Sequence, residues 1–168
     1  MNPTLRHFAG TMAICGALFC AVGGAQAAPV FSEKVTSSID PKTGDVKVCF
    51  KETGLTVKPV TYTAKGTVTA SYACRNRGGN CPPGQETTVK ETVSHSITYT
   101  PDKYGNVTAC IVLKVPKAGN SSCPDEMALV LKGVSWSGIT ISDVGNSIGP
   151  VSAYPAKQMV NYGVCPAR

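Results

Sequence analysis

The chain predicts an all-β protein, an antiparallel β-sandwich of immunoglobulin-like proportions, on three observations. Several stretches alternate apolar and polar residues with period two, separated by Gly, Pro, Asn and Asp. No segment downstream of residue 27 has the apolar spacing of an amphipathic helix. Downstream of that point lie six cysteines, Cys49, Cys74, Cys81, Cys110, Cys123 and Cys165, an even set able to close three disulfides.

Residues 1–27 read as an export signal. Arg6 and His7 give a weakly basic start, residues 8–22 are apolar or small, and Ala25-Gln26-Ala27 forms a small-x-small cleavage site. The apolar run is short for a membrane span and contains Gly10 and Gly16. Phe19 before Cys20 and Ile14 before Cys15 do not suit a lipoprotein signal. Removing residues 1–27 from the 168 leaves 141, the size of one domain over residues 28–168. The expected destination is extracellular, or periplasmic in a Gram-negative source.

Within that domain, residues 45–51 place Val46, Val48 and Phe50 on one face and Lys47, Cys49 and Lys51 on the other. Residues 60–74 align Val60, Tyr62, Ala64, Val68, Ala70, Tyr72 and Cys74, with a bulge expected at Gly66. Residues 89–99 align Val89, Val93, Ile97 and Tyr99, and residues 107–115 align Val107, Ala109, Ile111, Leu113 and Val115. Residues 129–142 make one or two more strands with kinks at Gly133 and Gly138, and Trp136 reads as packing inside. Turns are expected over 40–44 and 102–106. Cys49 and Cys110 share the outward parity of their strands, which favours a bridge between them among the 15 pairings that six cysteines allow.

Loss of Arg6 lowers the formal net charge from +6 to +5, and the lysines are scattered singly. Such lysines solvate faces and guard sheet edges, whereas nucleic acid calls for a concentrated basic stripe. No partner of that kind is expected, and the chain is expected to be a monomer.

Signals for chemistry are sparse. His95 is the one histidine downstream of residue 27, and its parity with Val93 and Ile97 predicts a partly buried strand residue. Residues 133–138, Gly-Val-Ser-Trp-Ser-Gly, displace the second glycine of a nucleophile elbow and precede no helix. Cysteines in an oxidising compartment pair rather than ligate zinc, and Asp125 and Glu126 are adjacent, so on a strand they face apart. No cofactor or metal is expected. The distinctive polar segment is 74–81, which holds Arg75, Asn76, Arg77 and Asn80 in a glycine-rich loop between cysteines. A rigid loop of this kind lowers the entropic cost of binding, or presents Arg75 or Arg77 to a trypsin-like protease. Tyr104 in the 102–106 turn is expected to serve as an aromatic contact for the ligand. Sequons begin at Asn106 and Asn120.

Five segments follow in order: Phe50-Lys51-Glu52-Thr53-Gly54-Leu55, Tyr72-Ala73-Cys74-Arg75-Asn76-Arg77-Gly78-Gly79, residues 102–108, Ser122-Cys123-Pro124, and residues 134–143. Together they resemble a family of small secreted β-rich proteins of bacteria and fungi. The resemblance covers most of residues 46–143 and implies a Cys74–Cys123 bridge. With Cys49–Cys110 that leaves Cys81–Cys165 for the tail. The chain departs from the family pattern in its four other cysteines. The resemblance implies fold and export and carries no mechanism. The functional expectation is a secreted, non-catalytic binding protein, with a secreted protease inhibitor or antagonistic toxin as alternative and a small hydrolase third.

Overall fold

A computed structural model describes residues 27–119 and 121–165; the expected export segment, save its last residue, and the sequon asparagine at 120 lie outside the described residues. The domain is a sandwich of two antiparallel sheets. In the smaller, β3 (Val46–Thr53) is central, with β6 (Val107–Leu113) on one side and β1 (Val30–Phe31) and β2 (Thr36–Ile39) in tandem on the other. In the larger, β4 (Val60–Arg75) lies between β5 (Glu86–Tyr99) and β7 (Ala128–Asp143), and β8 (Ile148–Ser152) and β9 (Gln158–Asn161) pair in tandem with the far edge of β7.

Alternation builds the core as expected. Val46, Val48 and Phe50 from β3 and Ile111 and Leu113 from β6 meet Val60, Tyr62, Ala64, Val68 and Ala70 from β4 and Trp136, Ile139 and Ile141 from β7. Phe31, Phe50, Tyr62 and Tyr99 cluster at one end of this layer, with Phe50 and Tyr62 ring centroids 4.5 Å apart.

The bulge falls on the partner of the strand where it was expected. Between Lys65↔Thr140 and Thr67↔Ser137 the register steps two residues on β4 and three on β7, so the extra residue belongs to β7. Gly138 there adopts φ +60°, which glycine takes without the cost a side chain would meet. Gly66 keeps the inward parity of β4 for another reason: a Cβ on it would sit 3.3 Å from Cε3 of Trp136. A second shift opposite Ser71 and Tyr72 puts one more extra residue on β7, near the expected kink at Gly133.

Past Ala70, β4, β5 and β7 continue beyond the last residues of the smaller sheet at this end, Val46 and Leu113. The chain after β6 is joined to this extension: Tyr72 donates its hydroxyl hydrogen to the Pro116 carbonyl, and Ala118 is buried. Cys74–Cys123 fastens that segment, Cys81–Cys165 fastens the tail, and Cys49–Cys110 links register partners across the outer face of the smaller sheet.

His95 has the inward parity expected, opposite Ala64, yet it is exposed. Strand β5 is the sheet edge and overhangs β6 there. The ring Nδ1–H donates to the Val112 carbonyl at 3.0 Å and the Tyr99 hydroxyl to the Cys110 carbonyl at 3.1 Å, so these two side chains occupy backbone acceptors of strand β6.

Candidate binding surface

The residues expected to bind do not form one site. Arg75 ends β4 and Asn76, Arg77 and Asn80 follow it, whereas Tyr104 follows β5, so they occupy opposite ends of strands that run on the order of 50 Å. The 75–80 loop is closed on itself. Asn76 exchanges backbone hydrogen bonds with Gly79 and Asn80, its Oδ1 accepts the Asn80 N–H at 2.9 Å, and Arg75 Nε donates to the Gly79 carbonyl. Arg77 faces Glu126 at 3.8 Å, both well exposed, a pairing of little energetic weight. At the other end the Asp102 carboxylate accepts from Tyr104 N–H, Asn106 N–H and Asn106 Nδ2, which sharpens the turn and leaves the Tyr104 ring 75% exposed. Those hydrogen bonds, the backbone bond from Asn106 first, hold the Asp102 carboxyl below the usual carboxylate range.

The outer face of the larger sheet is more distinctive. Read across β5, β4 and β7, its rows are Ser96–Thr63–Ser142, Ser94–Lys65–Thr140, Thr92–Thr67–Ser137, Lys90–Thr69–Ser135 and Thr88–Ser71–Gly133, with Thr98–Thr61 at the end. Fourteen of these 17 positions carry a hydroxyl, two are Lys and one is Gly; none is acidic, aromatic or aliphatic. Cross-strand hydroxyls bond each other at Thr61–Thr98, 2.8 Å, and Thr63–Ser96, 2.7 Å. The β-propensity of Thr explains any one of these positions. It does not explain the near absence of charge, because the outer face of the smaller sheet carries Lys47, Lys51 and Cys49–Cys110, with Lys51 paired to Glu33 and Lys114 to Asp45 nearby.

The hydroxyl face has relief. Where β7 bulges, Thr69, Ser71, Ser135, Gly133, Asn161 and Met159 line a depression of about 270 Å³, closed on one side by the Lys132–Glu86 ion pair. Met159 is 76% exposed, an apolar contact amid hydroxyls and an amide. Sequence reasoning missed this surface, although its signal is legible as Thr at 61, 63, 67 and 69 and Ser at 94 and 96.

Two other places hold chemistry. A pocket of about 520 Å³ beside the 40–45 turn is lined by Lys42, Lys47, Lys114, Asp40 and Asp45. Its acids are occupied: Asp40 caps its own turn, and Asp45 accepts from Lys114 and from the Val115 N–H. Burial alone would raise the Asp45 carboxyl, and those hydrogen bonds bring it below its ordinary value. The second place is the pair Glu52 and Asp143, each fully buried between the sheets. As a carboxylate pair for hydrolysis it is sealed from any substrate. Among the described residues no three His, Cys, Asp or Glu side chains are grouped to hold a metal ion. Comparison of the chain with protein-family models, curated proteins and solved structures finds no match in any of the three.

Proposed function

We propose that this is an exported, non-catalytic binding protein whose working surface is the hydroxyl face of the larger sheet, and that its ligand is a surface polysaccharide. The single observation behind this reading is the broad array of Ser and Thr on β4, β5 and β7, bordered by one acid, Glu86, that is paired to Lys132. Each hydroxyl both donates and accepts, as sugar hydroxyls do, so an extended carbohydrate can exchange its water contacts for protein ones along the face. Lys65, Lys90 and the net positive charge favour a neutral or acidic polymer over a cationic one. The groove at Met159 supplies the apolar contact that carbon-bound hydrogens of a sugar ring require. Three disulfides support an oxidising location.

The protease-inhibitor reading draws less support. A loop that enters a protease cleft is read in extended form, and residues 76–79 make a reverse turn with Gly79 at φ +80°.

Retention on insoluble cellulose, chitin, β-1,3-glucan and peptidoglycan tests the proposal. Retention on at least one polymer is expected, reduced about tenfold, or ~1.4 kcal/mol, by the pair Thr67→Glu and Ser135→Glu. Arg77→Ala and Tyr104→Ala are expected to leave it unchanged. Retention on none, or equal retention of the face variant, overturns the reading.

A further inference from the structure

At one end of the sandwich, Glu52 of β3 and Asp143 of β7 project from opposite sheets into the core with no exposed surface. They differ in their partners. Asp143 accepts the Asn146 N–H at 2.9 Å and the Asn146 Nδ2 at 2.6 Å. Among the described residues neither Glu52 oxygen has a donor, and the buried Tyr62 hydroxyl is also unpartnered. Among the described residues no Lys or Arg pairs with either acid. The surroundings are Phe31 from β1, Tyr62 from β4, Tyr99 from β5 and Val107 from β6, and burial raises the Tyr62 hydroxyl above its ordinary value.

Two carboxylates cannot both stay ionised in such a place, because burial and mutual repulsion each disfavour the second charge. A divalent cation would need about six to eight oxygens. Asp143 already spends both of its oxygens on Asn146, and no third acid completes a cage. One proton is enough.

We propose that Glu52 and Asp143 share a single proton and form a latch between the two sheets, closed in acid and released as the pH rises. The proton resides on Glu52, whose oxygens have no donor among the described residues, whereas both Asp143 oxygens already accept from Asn146. Its loss puts like charges side by side in apolar surroundings, which favours parting of β3 from β7 and entry of water beneath the 102–106 and 144–147 turns. Burial pushes the Glu52 carboxyl up to about 7 from 4.5, with the Tyr62 hydroxyl opposing and the Asp143 charge adding to the rise. A folded value above the unfolded one means stability is full below about 4.5 and lost as the pH climbs to about 7.

The test is the pH dependence of thermal unfolding from pH 4.5 to 8 for the wild type and Glu52→Gln, with the Glu52 side-chain carboxyl followed by carbon-13 NMR. A falling midpoint is expected for the wild type, a flatter profile for Glu52→Gln, and a carboxyl titration near neutrality. Parallel profiles, or titration of Glu52 near 4.5, overturn the latch. Should Glu52→Gln not fold, Asp143→Asn is expected to lower the Glu52 titration midpoint, and an unchanged midpoint counts against a shared proton. Millimolar calcium is expected to leave the wild-type profile unmoved; a calcium-dependent rise in the midpoint would replace the proton with a cation.

Discussion

Trp136→Ala is expected to destabilise the fold by about 4 kcal/mol, a large share of the roughly 5–15 kcal/mol that holds a domain of this kind together. Trp136 is the largest fully buried side chain and stands where β7 faces Gly66 of β4. Its indole Nε1–H donates to the Gly44 carbonyl at 2.8 Å, tying β7 of one sheet to the β2–β3 turn of the other. Alanine therefore opens a cavity that the strands cannot close, since Gly66 presents no side chain to move in, and it leaves a buried carbonyl without its donor. Trp136→Phe keeps most of the volume and loses the hydrogen bond with one edge of the ring, so about 1–2 kcal/mol is expected. Urea unfolding followed by far-UV circular dichroism measures both, and equal losses in the two variants would show that the hydrogen bond, not the ring's volume, carries the effect.

The fold was readable because period two dominates every long strand. Val46, Val48 and Phe50 are buried and Lys47 is exposed for the reason their spacing gives, and the same parity set Cys49 against Cys110. Sequence failed where the cause lies on a neighbouring strand. Gly66 looks like a break when β4 is read alone, but it is a slot for Trp136, and the extra residue is at Gly138. His95 departs from expectation for a related reason: parity tells which way a side chain points, and the overhang of an edge strand decides whether anything covers it.

The site was less legible. Cysteines and arginines drew attention to residues 74–81, but that loop spends its polar groups on its own turn. The hydroxyl face has no conspicuous residue in any one strand. It arises from register, which brings Thr67 beside Thr92 and Ser137 from segments 25 and 70 residues away. Glu52 and Asp143 are likewise ordinary acids in sequence and become unusual only when the sheets close over both.

The two disulfides of the strand extension carry similar loop-closure terms yet are expected to differ sharply in worth. Sequence separations of 49 for Cys74–Cys123 and 84 for Cys81–Cys165 predict about 4 and about 4.6 kcal/mol from restriction of the unfolded chain alone. That reckoning applies only if breaking the bridge leaves the rest of the native state unchanged. Cys74 is buried, and its bridge holds the segment that carries Pro116 and Ala118 to Tyr72 and the end of β4. Its removal in Cys74→Ala/Cys123→Ala loses nearly the full term and adds a packing defect, so a loss of about 4 kcal/mol is expected. Cys165 instead ends a tail beyond β9 in which Tyr162 is held by its N–H on the Lys132 carbonyl and its packing on the core, so only residues 163–165 detach with few contacts broken. Freed of its bridge, that tail detaches without unfolding the sandwich, and its regained entropy stabilises the native state nearly as much as the unfolded one. Cys81→Ala/Cys165→Ala is therefore expected to cost under about 1.5 kcal/mol globally, while amides of residues 163–165 lose hydrogen-exchange protection. Urea unfolding and native-state exchange on the two variants separate these outcomes. A larger global loss from the 81–165 pair than from the 74–123 pair would mean that the tail is part of the cooperative core.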